Sequence, residues 1–479
     1  MAYRSRPNIL LLQVDDLAAW CHPFMGDRYA ETPRLNELAR RCVIFANAYT
    51  PSPVCSPARA SLWTGLLPCR HGIHDFLKEN DPEAPTLRGQ ITLAQQFQAQ
   101  GYHTGLVGKW HCGSSHLPQP GFDHWFSYQQ GQYPHLGLQR FVCGDQPIQW
   151  EGFQSDRLLD EALSFLRDAP SNQPWFLYFG PVNTHSPFIN QPRTLVEKYR
   201  AKLRDRPPPV QHPDARYDWI RFGTPPDEET RLEWLAQYYA AVETIDHMLE
   251  RLLHNIDLAD TIVVYTSDHG HMNGHHGLYT KGNATVPQNF YEEALRIPLI
   301  VAGPDTLVGR NLRIDEPVNL MDLHETLVDW GGLKPVAPPH RPGQSLSDLI
   351  AGRTHPLPRP PMLFEYGNAR AIRSGPYKLV RRYHPYQGPL NREVYDLEYD
   401  PGEVHDLAGL PAFDALSQAL EKAMTTAFAR YEPPGYRPDH ILALPPCNAC
   451  EPWRLARPPD TPAHGSDLHL LGYGNPRLQ

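Results

Sequence analysis

The chain has 479 residues, of which 41% are hydrophobic and 20% are charged, so it can fold around a large core and is not a disordered protein. A formal net charge of −9 excludes the basic surface of a general nucleic-acid-binding protein, and eight Cys in this length exclude a disulfide framework. Apolar runs are too short to cross a bilayer, so we predict neither nucleic-acid nor membrane partners.

The first apolar run, residues 9–14, predicts a buried strand that ends at Asp15 and Asp16. The run is too short for the hydrophobic region of a signal peptide, and a small-residue cleavage site does not follow it. From the sequence as given we expect a cytoplasmic protein. A periplasmic or secreted protein is expected instead if a signal peptide has been removed.

Three further runs, residues 175–180, 261–266 and 297–302, predict strands that are buried on both faces. Helical patterns occupy residues 32–41, 156–167 and 232–255. Strands that alternate with helices favour an α/β fold, in which a large mixed, mainly parallel sheet is flanked by helices on both faces. Ligands bind such sheets at the carboxyl ends of the strands.

Proline-rich segments divide the remaining sequence. Residues 187–226 predict a surface excursion, and residues 335–361 predict a domain boundary. Residues 369–403 predict two strands and residues 413–431 a helix, which together suggest a smaller C-terminal antiparallel α+β subdomain. We therefore predict a large N-terminal domain over residues 1–350, the subdomain over residues 351–435 and an extended tail over residues 436–479.

Two acidic motifs follow predicted strands. Asp15-Asp16 follows the first, and Ser267-Asp268-His269-Gly270 follows residues 261–266. Adjacent acids can both face one site only if the backbone bends between them. Because parallel strands end at one edge of a sheet, the two motifs could meet there and offer the hard oxygen ligands that Ca²⁺ or Mg²⁺ prefers. The alternative is that these acids cap helices and turns.

Four other segments carry groups suited to an anionic substrate. They are Cys55-Ser56-Pro57-Ala58-Arg59 with its extension to Thr64-Gly65, Gly108-Lys109-Trp110-His111, Asn183-Thr184-His185-Ser186-Pro187-Phe188, and Gly274–Gly282 with His275, His276 and Lys281. Lys109 and His111 would share one face of an extended segment. Each segment alone has an ordinary alternative, such as a buried cysteine before a helix or a surface lysine. We interpret His275 and His276 as turn or rim residues.

Taken in this order, the motifs resemble those of the formylglycine-dependent (type I) sulfatases of the alkaline phosphatase superfamily. The resemblance covers residues 7–305 and, less closely, residues 365–410. It implies that a maturation enzyme oxidises Cys55 to formylglycine. It also implies a divalent metal, Ca²⁺ in the first place with Mg²⁺ or Mn²⁺ as alternatives, on Asp15, Asp16, the modified Cys55, Asp268 and His269. Many members of the family have Asn at the position of His269, and imidazole is a softer ligand than an amide oxygen.

The resemblance also implies a catalytic role for each of six residues. The hydrated aldehyde made from Cys55 would attack sulfur, with Arg59 and Lys109 holding it in place. Lys281 and His185 would bind the sulfate and protonate the leaving alcohol. His111 would then remove a proton from the second hydroxyl, which lets the hemiacetal collapse and release sulfate.

We therefore predict a sulfuric ester hydrolase for a small-molecule or oligosaccharide sulfate ester. A sulfated carbohydrate is the expected substrate, because the rim of the site contains many polar and aromatic residues. Two alternatives stay open, a phosphonate monoester or phosphodiester hydrolase of the same superfamily and a catalytically silent homologue. His71, His74, Asp75 and Arg140 are candidates for lining the pocket, and the tail could cap the pocket or mediate a homo-oligomer.

Overall fold

A computed structural model of the protein describes residues 6–78, 86–129, 135–186, 189–207, 209, 227–334, 340–353, 359–384, 391–448 and 451–455. In these residues the strands form three sheets of ten, three and four strands. No helix in the described part of the chain is both long enough and apolar enough to cross a membrane.

The described strands are β1 (Asn8–Val14), β2 (Val43–Phe45), β3 (Ala48–Tyr49), β4 (His103–Gly108), β5 (His124–Tyr128), β6 (Leu136–Cys143), β7 (Gln146–Phe153), β8 (Trp175–Gly180), β9 (Thr261–Ser267), β10 (Arg296–Ile297), β11 (Leu299–Ala302), β12 (Leu312–Ile314), β13 (Val318–Asn319), β14 (Met362–Tyr366), β15 (Ala369–Ser374), β16 (Tyr377–Arg382) and β17 (Arg392–Asp396). The described α-helices are α1 (Pro33–Ala39), α2 (Cys55–Thr64), α3 (Pro68–His71), α4 (Leu93–Ala99), α5 (Gln154–Asp168), α6 (Arg193–Leu203), α7 (Glu228–Leu253), α8 (Glu292–Leu295), α9 (Leu320–Trp330), α10 (Ser347–Ile350), α11 (Asp414–Phe428) and α12 (Pro452–Leu455).

The ten-stranded sheet has the order β12-β2-β11-β9-β1-β8-β4-β5-β6-β7. Its centre, from β9 to β5, is parallel throughout, whereas β11 and the β6–β7 hairpin pair antiparallel at either side. Alternate residues of β1 enter two different cores. Leu10 and Leu12 pack with α5 and α7, and Ile9 and Leu11 pack with α2, α4 and α9. The predicted mixed, mainly parallel sheet with helices on both faces is confirmed.

The predicted strand at residues 297–302 is two strands in two sheets. Pro298 has no N–H to donate to a ladder, and the chain changes sheet at this residue. β10 pairs with β3 in the three-stranded sheet, and β11 runs antiparallel to β9 in the large one. Half of the surface excursion predicted for residues 187–226 lies outside the described residues. Its described part contains α6, which buries Val196, Tyr199 and Leu203 and so is not merely a surface loop.

The C-terminal region contains an antiparallel sheet, β14-β15-β16-β17, with helix α11 packed on it. The sequence predicted two strands within residues 369–403, whereas the structure has three there, β15, β16 and β17, and β14 precedes them as the fourth strand of the sheet. Beyond α11 the chain packs back onto the sheet, where Trp453 lies edge-on to Tyr366 with ring centroids 5.3 Å apart. The predicted domain boundaries stay predictions, as does the role of the tail.

Candidate active site

Four parallel strands bring the predicted site residues to one edge of the ten-stranded sheet. The strands lie side by side in the order β9, β1, β8 and β4. Their carboxyl ends lead into Asp268 and His269 after β9, Asp15 and Asp16 after β1, Thr184 and His185 after β8, and Lys109 after β4. This edge of the sheet therefore assembles side chains from four distant parts of the chain.

The backbone bends between the two adjacent acids, as predicted for acids that face one site. Asp16 has a φ of +58°, a left-handed conformation that few non-glycine residues adopt. Its N–H donates to Oδ1 of Asp268 at 3.1 Å, and the Thr184 hydroxyl donates to the carbonyl of Asp15 at 2.6 Å. Both carboxylates are consequently buried at the same point.

Cys55 is the first residue of α2 and is buried against these carboxylates. Its Sγ lies 2.9 Å from Nζ of Lys281, 3.3 Å from Nε2 of His269 and 3.9 Å from Oδ1 of Asp16. The N-terminus of a helix carries a partial positive charge, so this position suits an anionic group. The Cys55 thiol, at the N-terminus of α2, is therefore close to the Lys281 ammonium group and to two potential metal ligands, His269 and Asp16.

Arg59 lies one turn further along α2 and has no exposed surface. Its Nε donates to Oδ2 of Asp268 at 2.9 Å, and its Nη2 donates to Oδ1 of Asp15 at 3.1 Å. Nη1 donates to the Lys109 carbonyl at 3.1 Å and to the Tyr178 hydroxyl at 2.5 Å. One guanidinium thus joins the ends of three strands. Tyr178 was not predicted, because a tyrosine inside an apolar strand has the pattern of a core residue.

Two lysines each contact one of the adjacent carboxylates. Nζ of Lys109 lies 2.7 Å from Oδ2 of Asp15, and Nζ of Lys281 lies 2.6 Å from Oδ1 of Asp16. Nε2 of His185 lies 3.5 Å from Nζ of Lys281 and 3.9 Å from Oδ2 of Asp15. The negative charges of three buried carboxylates are therefore compensated by the positive charges of one guanidinium and two ammonium groups. We name this set the strand-end cluster: Asp15, Asp16, Cys55, Arg59, Lys109, His185, Asp268, His269 and Lys281.

The two adjacent acids differ in ionisation because their neighbours differ. Burial acts to raise the pKa of Asp15, but the charges of Lys109 and Arg59 outweigh it and hold that pKa well below its ordinary value. Burial also acts on Asp16, where the charges of Lys281 and His269 compensate less, so its pKa is raised to about 6. Asp16 is thus a buried carboxyl with room for further positive charge.

The nucleophile candidate and its histidine neighbours are also perturbed. Burial would raise the pKa of the Cys55 thiol, but the charges of Lys109 and Lys281 lower it to about 7. Burial would lower the pKa of His269, but Asp268 and Asp16 raise it to about 9. Burial and the charge of Lys281 depress the pKa of His185 well below its ordinary value, so this imidazole is neutral at pH 7.

The donor atoms fit a metal ion. One ligand atom each from Asp15, Asp16, Cys55 and His185 lies within 4.8 Å of all the others, and the same holds for Asp15, Cys55, Asp268 and His269. These side chains are buried except for His185, which is partly exposed. Carboxylate oxygens are the ligands of Ca²⁺, Mg²⁺ and Mn²⁺, and a single imidazole is compatible with them. Asp15, Asp16, Asp268 and His269 are therefore the residues that could hold a divalent cation beside residue 55.

His111 does not lie in an extended segment, so the predicted alternation of Lys109 and His111 along a strand is wrong. Strand β4 ends at Gly108, and His111 has a φ of +56°. Nε2 of His111 lies 2.8 Å from the carbonyl oxygen of Leu77, which can only accept a hydrogen bond. The proton is therefore on Nε2, and Nδ1 is the basic nitrogen of the neutral ring.

The two histidines after Gly274 are not equivalent rim residues. They begin a short 3₁₀ turn, His275–Gly277, in which His276 is buried and stacks on Tyr291 with ring centroids 3.9 Å apart. Its Nε2 lies 3.4 Å from Oε2 of Glu293. His275 is partly exposed and packs against Trp20. The interpretation as turn residues is correct for both, and the rim interpretation is wrong for His276.

Of the four candidates for lining the pocket, three are buried. His71 accepts or donates a hydrogen bond with the Ser61 hydroxyl at 3.1 Å, and Asp75 accepts one from the Tyr366 hydroxyl at 3.0 Å. His74 is buried beside them. Arg140 is exposed on β6. These positions make the first three part of the packing between α2 and the C-terminal sheet.

Two protein-family models match this chain, and their matches cover the residues that form the site. A model of the sulfatase family matches residues 7–333, which is more than half of the chain. A second model, described as the C-terminal part of N-sulphoglucosamine sulphohydrolase, matches residues 274–430. The matched regions include every residue of the strand-end cluster.

Two curated relatives match most of the chain. A choline-sulfatase of Rhizobium meliloti is 28% identical over 473 residues, which cover 88% of this chain and 86% of the relative. An N-acetylglucosamine-6-O-sulfatase of Bacteroides thetaiotaomicron is 24% identical over 512 residues, which cover 89% of this chain and 87% of the relative.

Two solved structures share the fold. One was determined in complex with its substrate D-glucosamine-2-N,6-O-disulfate, and it superposes with a TM-score of 0.75 at 21% identity over 89% of this chain and 98% of its own. The other is a phosphonate monoester hydrolase of Agrobacterium radiobacter, with a TM-score of 0.66 at 20% identity over 89% of this chain and 96% of its own.

Proposed function

The chain belongs to the sulfatase family and is a sulfuric ester hydrolase, and from that premise we propose that it cleaves the sulfate ester of a carbohydrate, with a formylglycine made from Cys55 and a divalent cation. The observation that carries the proposal is the convergence of Cys55 with three metal-ligand residues. Ligand atoms of Asp15, Asp268 and His269 lie within 4.8 Å of one another and of its Sγ. A formylglycine at residue 55 would therefore lie beside a cation held by these donors.

The cation would be held by Asp15, Asp16, Asp268 and His269. Ca²⁺ suits the three carboxylates best, with Mg²⁺ or Mn²⁺ as alternatives. When bound, the cation and the hydrated aldehyde would supply a hydroxyl of lowered pKa and positive charge for the sulfate oxygens. The raised pKa of Asp16 supports this assignment, because a buried carboxyl with incomplete charge compensation favours a further positive charge.

Arg59 and Lys109 orient this set of ligands. Arg59 holds one oxygen each of Asp15 and Asp268, which fixes the rotamers of both carboxylates. Lys109 holds the other oxygen of Asp15 at 2.7 Å and neutralises it. Because the Arg59 and Lys109 side chains are buried, they hold these carboxylates in a fixed geometry and without reorganisation of water.

Lys281 and His185 lie beside Cys55, because Nζ of Lys281 is 2.9 Å from the Cys55 Sγ and 3.5 Å from Nε2 of His185. Lys281 is charged, since burial is outweighed by Asp16 and Cys55 and its pKa is raised. Nδ1 of His185 lies 2.6 Å from the Ser186 carbonyl oxygen, so the ring proton is on Nδ1 and Nε2 accepts from Lys281. We assign binding of the sulfate oxygens to Lys281 and the protonation of the leaving alcohol to this lysine–histidine pair.

His111 is assigned the second proton transfer. Its Nε2–H donates to the Leu77 carbonyl, so Nδ1 is the nitrogen that can accept a proton from a hydroxyl on residue 55. The modification itself would be made by a maturation enzyme that acts on the Cys55–Arg59 segment before the site is fully folded, because Cys55 is buried in the folded chain.

A carbohydrate sulfate is the proposed substrate for two reasons. One curated relative is named as acting on N-acetylglucosamine-6-O-sulfate groups, and a structure of the same fold holds a sulfated glucosamine. The choline-sulfatase relative and the phosphonate monoester hydrolase structure supply the competing leaving groups. The shared fold with the latter keeps phosphonate hydrolysis as the second candidate.

The test is a comparison of initial rates for enzyme that has been co-expressed with a maturation enzyme. The substrates are sulfated monosaccharides, choline sulfate, an aryl sulfate and an aryl phosphonate monoester, and Cys55→Ala protein is the blank. A kcat/KM that is highest for a sulfated sugar supports the proposal. A higher kcat/KM for choline sulfate would refute the sugar assignment, and a higher value for the phosphonate would establish the second candidate.

A further inference from the structure

The segment that carries Lys281 is fixed to the helix that carries Cys55. The side-chain amide of Asn289 donates to the carbonyl oxygens of Lys281 at 3.1 Å and Gly282 at 3.2 Å. The backbone N–H of Asn289 also donates to the Gly282 carbonyl, at 3.0 Å. The N–H of Gly282 donates to the carbonyl of Pro53, two residues before Cys55. The position of Asn289 therefore determines where Lys281 stands relative to Cys55.

Contacts at Gly282 allow little movement in this connection. A Cβ added to Gly282 would lie 2.4 Å from Cγ of Pro53, well inside van der Waals contact. The close approach of the two segments thus requires glycine at this position. Asn289 is fully buried, so its hydrogen bonds do not compete with water.

Three side chains from the C-terminal region bind backbone groups of the residues around Asn289. Nε of Arg382 donates to the carbonyl of Gln288 at 2.8 Å, and Nζ of Lys378 donates to the carbonyl of Phe290 at 2.7 Å. The carboxylate of Glu403 accepts from the N–H of Glu292 at 2.7 Å. The bonds fall on residues 288, 290 and 292, so they enclose Asn289. We name Lys378, Arg382 and Glu403 the C-terminal frame.

The frame is itself a buried charge network. Nζ of Lys378 lies 2.5 Å from Glu403 and 3.0 Å from Glu292, and Glu292 also accepts from the Tyr49 hydroxyl at 2.6 Å. Lys378, Arg382 and Glu403 are each at most 1% exposed. Hydrogen bonds between charged groups and backbone atoms are stronger than neutral ones, and a buried charge that loses its partner carries a large desolvation cost. These properties make the three attachment points stiff.

We propose that the C-terminal frame consists of positioning residues that set the location of the Lys281 ammonium in the active site. The C-terminal sheet then contributes to the geometry of the active site, although Lys378, Arg382 and Glu403 do not touch the reacting atoms. The proposal rests on the assignment of Lys281 to the sulfate group under the proposed function.

The experiment compares Lys378→Met with Arg370→Met, a matched control on the neighbouring strand. Arg370 is also buried and also paired with two carboxylates, but its partners Glu365 and Glu432 lie outside residues 281–292. Glu403→Gln is a milder frame variant, because an amide oxygen can still accept from the Glu292 N–H. The measurements are kcat, KM, the inhibition constant of inorganic sulfate, the melting temperature and amide hydrogen exchange of peptides within residues 281–292.

We expect kcat/KM to fall about tenfold to a hundredfold in Lys378→Met and less in Glu403→Gln, because small displacements of a binding group have effects of this size. Sulfate should inhibit both variants more weakly than wild type, and exchange within residues 281–292 should be faster. Arg370→Met should lower the melting temperature comparably but keep wild-type kcat/KM, sulfate inhibition and exchange in this segment.

Wild-type kcat/KM and sulfate inhibition in both frame variants would overturn the proposal, as would equal losses in Arg370→Met. If Lys378→Met does not fold, Glu403→Gln decides. Failure of the proposed function has a different signature, namely wild-type enzyme that does not hydrolyse any sulfate ester. In that case unchanged hydrogen exchange in Glu403→Gln would still refute the frame, and faster exchange confined to this segment would support it.

Discussion

The strand-end cluster and the C-terminal frame are both buried networks of ionisable side chains, but they differ in what their members bind besides one another. In the strand-end cluster, the side chains contact one another and the thiol of Cys55. In the frame, the side chains also pair with other side chains, but each of Lys378, Arg382 and Glu403 in addition binds a backbone group of one segment, residues 288–292. Under our two proposals, the first arrangement serves the reaction and the second fixes the position of a reacting group.

The largest expected effect removes the nucleophile candidate. Cys55→Ala should abolish sulfate-ester hydrolysis while the melting temperature stays close to that of wild type, because one small buried group is removed. Cys42→Ala is the matched control, since Cys42 is equally buried and lies outside the strand-end cluster. Initial rates at saturating substrate test this, and near-wild-type turnover by Cys55→Ala would contradict the assignment.

The next effect concerns Arg59. Its replacement by Ala leaves Asp15 and Asp268 buried without their guanidinium, which should cost about 3–5 kcal/mol of unfolding free energy. Arg59→Lys keeps the charge but cannot reach both carboxylates, so it should lose less stability and still lose turnover. Chemical denaturation and kcat measurements test both variants. Arg167→Ala, which breaks an exposed pair with Asp168, should leave both quantities unchanged.

A smaller effect is expected from metal ions. Ca²⁺ at one hundred times its dissociation constant should raise the unfolding free energy by about 2.7 kcal/mol, because only the folded chain presents the full ligand set. Asp268→Asn should weaken this stabilisation. Asp246→Asn is the control, because Asp246 is buried but accepts from the N–H groups of Arg34 and Leu35. Melting temperature against Ca²⁺, Mg²⁺ and Mn²⁺ concentration is the measurement, and equal responses of both variants would contradict the site.

The smallest expected effect is the pH dependence of stability that Glu403 of the C-terminal frame contributes. Burial, only partly offset by Lys378, raises the pKa of Glu403 from 4.5 to about 8. A pKa that is higher in the folded state means tighter proton binding by that state. This contribution to stability is therefore complete below about pH 4.5 and is lost as the pH rises through about 8.

Glu403→Gln should remove that pH dependence. Urea denaturation of wild type and variant at acidic and alkaline ends of this range gives the difference directly. We expect the wild type to lose more unfolding free energy than the variant as the pH rises. A difference between the two proteins that does not change with pH would contradict a raised pKa for Glu403.

The strand-end cluster could be predicted from the sequence because its members follow apolar strands or lie in short motifs. Asp15 and Asp268 follow buried runs, and Cys55 and Arg59 are one helical turn apart. The C-terminal frame could not be predicted in this way. Lys378 and Arg382 look like solvent-facing residues of an ordinary strand, and the backbone carbonyls to which they donate are more than 80 residues away in the chain.

Local geometry also escaped prediction where it depends on tertiary packing. The division of residues 297–302 between two sheets follows from Pro298 and from the position of β3, which is too short to recognise by pattern. The conformation of His111 depends on the Leu77 carbonyl, which approaches from a separate loop. Strand ends and motifs therefore identified the members of the strand-end cluster, and contacts distant in sequence decided their orientation.

The most direct test of the account is mass spectrometry of the peptide that contains residue 55, from protein co-expressed with a formylglycine-maturation enzyme. The account predicts a loss of about 18 Da at residue 55, the difference between the thiol and the aldehyde side chain, together with reactivity toward an aldehyde probe. The loss should be absent in Cys55→Ala and should increase in proportion to sulfatase activity. An unmodified thiol in enzyme that is fully active would contradict the account.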